Sequence, residues 1–98
     1  MRKDSEINGH IRNILNYLRF EFTKVEKTSQ KDTYRIKGMK RVSSELNKAI
    51  QARDYQIISI ERGCLSNDLT VIISHIDMGS YSQGLSDSEI NQYSWSQH

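Results

Sequence analysis

Apolar residues along this chain recur first every 3.6 positions, then every second one, and then pass through the same change again. That pattern demands helices and strands in turn, and it rules out a helical bundle or an all-β barrel. Ile7, Ile11, Ile14, Leu15 and Leu18 fall within about 100° of arc on a helical wheel. The spacing predicts a helix over 5–18, capped by Asp4 or Ser5, with Arg12, Asn13 and Asn16 on its wet side.

From Phe20 the period is two. Phe20 and Phe22 alternate with Glu21 and Thr23, and Tyr34 and Ile36 answer them across the polar stretch 28–32, which predicts a β-hairpin. Val25 falls out of phase, so the first strand is expected to bulge or leave the core near Lys24, and Gly38 to end the second strand. Met39, Val42, Leu46, Ala49 and Ile50 then place a helix at 40–52. Two β-branched runs, 55–60 and 69–76, flank a turn-like stretch and predict a second hairpin. Strict alternation puts Ile57, Val71 and Ile73 on one side of that hairpin and Ile58, Ile60, Ile72 and Ile76 on the other, so both faces call for cover.

The Ser- and Gln-rich C-terminal stretch carries one ordered signal. Ser86 and Glu89 have capping-box spacing, and Leu85 and Ile90 form the matching hydrophobic staple, which predicts a short helix at 87–95. Either this helix or a second copy of the chain, in a homodimer, covers the second face of the isoleucine-rich hairpin. The expected order is α-β-β-α-β-β with a short C-terminal helix, its helices packed on an antiparallel sheet. It is a single α+β domain over 1–98, with 79–98 as a partner-binding tail.

Charge is divided along the chain. All 14 Lys and Arg lie at or before Arg62 against eight carboxylates, for a balance of +6, while residues 63–98 hold four carboxylates and no cation. Such asymmetry points to an interaction surface. No apolar run approaches the roughly 20 residues of a membrane span, and no signal-peptide pattern opens the chain. The lone Cys64 has no intramolecular disulfide partner. These features favour a cytoplasmic, intracellular protein with no membrane association.

No motif specifies a reaction or a cofactor. The glycines are isolated, paired cysteines are missing, and His10, His75 and His98 lack zinc spacing. The leading expectation is therefore a small non-enzymatic binding protein, an inhibitor, adaptor or regulator of a larger protein partner. Its contact residues are expected at Tyr81, Asp87, Glu89, Tyr93 and Trp95, aromatic anchors among acidic and polar neighbours. The alternative is a nucleic-acid-binding regulator that uses Lys24, Lys27, Lys31, Arg35, Lys37, Lys40 and Arg41 around the first hairpin and the start of the second helix. A third reading, a metal-dependent hydrolase, combines Asp32 or Glu21 with nearby lysines, or His75 with Asp68 and Asp77.

Overall fold

A computed structural model describes residues 4–63, 68–76 and 84–94. Its elements are α1 (Asp4–Tyr17), β1 (Lys24–Lys27), β2 (Thr33–Met39), α2 (Ser44–Gln51), β3 (Tyr55–Arg62), β4 (Leu69–His75) and α3 (Asp87–Asn91). The strands form one antiparallel sheet in the order β1-β2-β4-β3. The class is α+β, as the periodicity predicts. α1 packs over β1 and α2 over β3, and the two helices touch, so both lie on one face of the sheet. The inward residues Val25, Tyr34, Ile36, Ile57, Val71 and Ile73 meet Ile11, Leu15, Leu46 and Ile50 of the helices there.

Several boundaries differ from the sequence expectation, each for a physical reason. α1 stops at Tyr17 because Arg19 takes a left-handed conformation (φ 64°), and the Phe20 N–H then bonds the Leu15 carbonyl at 2.9 Å. Phe20 is buried beyond that turn and Phe22 packs at the edge of the core, but neither belongs to a strand. β1 starts only at Lys24. Val25, out of phase with the phenylalanines, is the residue that sets the strand's true phase, pairing with Ile36 on the core side.

Gly38 does not end β2. It sits inside the strand at φ 77°, where the register with β4 shifts between Ile36 and Met39, and a Cβ there would overlap the Thr23 side chain. A second bulge lies in β3. Ile57 pairs with Ile73 but Ser59 pairs with Ile72, so Ile58 is the extra residue and Ile60 returns to the core side opposite Val71. The outer face is thereby less apolar than strict alternation predicts.

The C-terminal segment is built into this unit. The Leu85 N–H bonds the Ile57 carbonyl at 2.9 Å, along the edge of β3. The Val42 N–H bonds the Tyr93 carbonyl at 2.9 Å, which holds residues 41–43 out of helix and delays α2 to Ser44. Asn91 Oδ1 accepts from the Ser44 N–H at 2.9 Å, doing for α2 what the Ser43 side chain does not. The capping box of α3 is formed, and Ile90 is fully buried. α3 itself is shorter than expected, ending at Asn91.

Ile90→Ala should therefore lower the unfolding free energy by about 2–5 kcal/mol, as for other buried isoleucines, measured from urea denaturation midpoints. Gly38→Ala should lower it by about 1–3 kcal/mol through its left-handed backbone alone.

Candidate functional site

Two surfaces stand out, and the charge division of the sequence maps onto them. The first is the outer face of the sheet, which no described helix covers. β1 and β2 pair Lys24 with Lys37 and Glu26 with Arg35, and these four outward side chains meet. Glu26 Oε1 lies 3.4 Å from Lys24 Nζ and 3.7 Å from Lys37 Nζ, and Oε2 lies 3.4 Å from Arg35 Nη1. These are looser than ordinary charge-assisted hydrogen bonds. One carboxylate thus gathers three cations, leaving a balance of +2. Partial desolvation works against the charged form of Glu26, but Lys24, ahead of Lys37 and Arg35, outweighs it and holds the carboxyl below its ordinary 4.5.

The other predicted basic residues go elsewhere. Lys27 shares the core side of β1, with its ammonium 5.8 Å from the Tyr34 ring centroid and donating to the Gln30 carbonyl at 2.7 Å, so it ties the hairpin loop together. Lys31 is exposed at the hairpin tip. Lys40 is paired with Asp68, which raises its pKa above the ordinary lysine value. The Arg41 guanidinium stacks 4.5 Å from the centroid of Phe20. Of the seven, only Lys24, Arg35 and Lys37 are brought together. Glu26, which in sequence only dilutes the basic run, is the hub of that group.

The second surface is a groove of about 240 Å³ between β3 and α3. Ile58, Ile60, Leu85 and Tyr93 supply its apolar lining, and Ser59, Glu89 and Gln92 supply polar groups. Tyr93 packs against the core with the Arg62 guanidinium 5.8 Å from its ring centroid. Glu89 serves the capping box, where its Oε1 accepts from the Ser86 N–H at 3.1 Å and the Ser86 hydroxyl at 3.0 Å. Those two bonds, the backbone one first, hold its pKa below the ordinary 4.5. Asp87 is exposed on the first turn of the same helix. Tyr81 and Trp95 lie outside the described residues, as do Cys64, Asp77 and His98. Of the residues expected at a partner contact, Glu89 and Tyr93 line this groove, and Ile58, Ser59, Ile60, Leu85 and Gln92, not expected there, line it too. The bulge at Ile58 and the pairing of Leu85 with β3 are long-range features without a local signature.

Among the described residues, those named for metal-assisted hydrolysis form no cluster of metal ligands. Asp32 holds the β1–β2 turn with a left-handed backbone (φ 53°), and its carbonyl accepts from the His75 N–H at 3.0 Å. His75 stacks edge-on against Tyr55 with centroids 5.3 Å apart, and Glu21 is exposed. Among the described residues no three His, Cys, Asp or Glu side chains cluster as metal ligands. No described helix is long and apolar enough to cross a membrane. Comparison with known protein families, with curated proteins and with solved structures finds no match.

Lys24→Ala should raise the titration midpoint of Glu26 toward 4.5, read from its side-chain carboxyl NMR shift. Because the native pKa is depressed, the cluster's contribution to stability is present above the ordinary value and is lost as pH falls through the native one. Acid titration should therefore loosen the wild-type cluster at a lower pH than that of the variant.

Proposed function

We propose that this chain is a small non-enzymatic protein that binds a larger protein partner stoichiometrically, as an inhibitor, adaptor or regulator, and that the groove between β3 and α3 is its contact site. The observation that carries this reading is the groove's make-up: apolar groups of Ile58, Ile60, Leu85 and Tyr93 beside the Glu89 carboxylate, with the Arg62 guanidinium 5.8 Å from the Tyr93 ring centroid. Tyrosine and arginine are the residue types on which interface binding energy concentrates. At about 240 Å³ the groove is smaller than the usual range for small-molecule sites, roughly 300–1,000 Å³, and it suits one anchoring side chain of a partner better than a substrate. Both cap bonds to Glu89 fall on Oε1, which leaves Oε2 for a basic or hydrogen-bonding group next to that anchor. The favoured partner segment thus pairs a large apolar side chain with a donor.

Because Ile90 and the backbone of residues 85 and 93 belong to the packed unit, the test uses point substitutions at the half-buried groove residues in place of truncation. Leu85→Glu and Tyr93→Ser, each checked for a native circular dichroism spectrum, are compared with wild type in affinity capture followed by light scattering of the isolated complex. A protein held by wild type at one-to-one mass and released by both variants supports the groove. Equal retention by the variants counts against it, and so does a wild-type homodimer that Leu85→Glu dissociates.

A further inference from the structure

The outer face of the sheet has a chemistry of its own and meets the groove only at Ile58 and Ser59. Outward positions on adjacent strands place Lys24 beside Lys37, Glu26 beside Arg35, Arg35 beside Ile72 and Thr33 beside Ser74. Thr70 and Ser59 continue the same face toward β3, where Glu61 is paired with Thr70. The face is thus cationic over β1 and β2 and bounded by a carboxylate on the β3 side, with half-buried hydroxyls of Thr70 and Ser74 on β4 and Thr33 itself buried. Arginine, lysine, serine and threonine are the side chains that contact phosphate oxygens.

What the face lacks among the described residues is as informative about the kind of polyanion. The rings of Tyr34 and Tyr55 are buried on the core side, Phe20, Phe22 and Tyr93 pack against the core, and the exposed Tyr17 is on α1. A reader of single strands needs exposed aromatic rings on which bases stack, and among the described residues this face presents none. Nor do its described strand positions offer the aromatic or aliphatic anchors of a protein interface core beyond the half-buried Ile58 and Ile72.

From this arrangement we infer that the outer sheet face, through Lys24, Arg35 and Lys37, is a contact surface for the phosphate backbone of a nucleic-acid duplex. Glu26 restrains it. The carboxylate orients the three cations and offsets part of their charge, so the contact is weak enough to be reversible, and being made to phosphates it is sequence-independent.

The test is fluorescence anisotropy of labelled duplexes and of the matching single strands, titrated with the full chain at 50 and 200 mM salt. Three phosphate contacts predict a loss of affinity of roughly fortyfold across that interval. Arg35→Gln with Lys37→Gln should reduce the loss to about threefold to fourfold and weaken binding at the lower salt, while Glu26→Gln should tighten it. Lys48→Gln, on an exposed position of α2, should change neither affinity nor fold. Leu85→Glu should leave duplex binding intact, which separates this surface from the groove. No duplex binding at 50 mM salt overturns the inference, as does indifference to the double substitution. Single strands bound as tightly as duplexes, or displacement by polyglutamate as effective as by unlabelled duplex, also overturn it in favour of a different polyanion.

Discussion

With 36% of its residues apolar, the chain packs its two longer helices on one face of a four-stranded sheet, and the remaining features follow from that one-sided core. α1 and α2 fill the inner face, so most inward positions on the strands are buried, and outward ones are mostly polar or charged, Ile58 and Ile72 excepted. Two bulges make this partition work. Without the extra residue at Ile58, Ile60 would lie outside with Ile58 and Ile72, presenting an apolar stripe that invites self-association. At Gly38 the irregularity re-aims β2 so that Met39 is buried opposite Leu69, and Thr23 crosses closely over the position a side chain would occupy.

A one-sided sheet also has two edges to protect. β1 is only four residues long, and the carbonyl of Val25 accepts from Asn8 Nδ2 of α1 at 2.7 Å. On the opposite edge, Ile57 is satisfied twice: its N–H donates to the buried Asn47 Oδ1 at 3.0 Å and its carbonyl accepts from the Leu85 N–H. Asn47 is one of few buried polar residues, and its placement on α2 couples that helix to β3 by a directed bond in addition to apolar contact. The C-terminal segment completes the edge, caps α2 through Asn91 and walls the groove, so one short stretch serves the fold and the candidate site together.

The charge division visible along the chain becomes a division in space. The cations of β1 and β2 are held on the open face around Glu26, and the carboxylates of α3 lie beside the groove past the edge of β3. Glu26 and Glu89 both have depressed pKa values, but for different reasons. Glu26 is surrounded by cations, whereas Glu89 accepts hydrogen bonds from a helix cap. The first carboxylate tunes a surface and the second secures an element.

Period and spacing by themselves determined the element order, the α+β class, the inward residues of α1 and the capping box at Ser86 and Glu89, because these depend on neighbours within a few positions. They also separated a basic first part from an acidic last one. Where contacts between distant segments decide, local patterns misled. Phe20 and Phe22 look like strand residues, yet the turn at Arg19 delivers them to the core ahead of β1. Residues 40–43 look helical, yet the Val42 N–H is held by the Tyr93 carbonyl. Ile60 looks outward, yet a bulge turns it in. Tertiary structure alone decided which of seven clustered cations share a face, since strand pairing sends neighbouring residues to opposite sides while bringing Lys24, Arg35 and Lys37 together around one carboxylate.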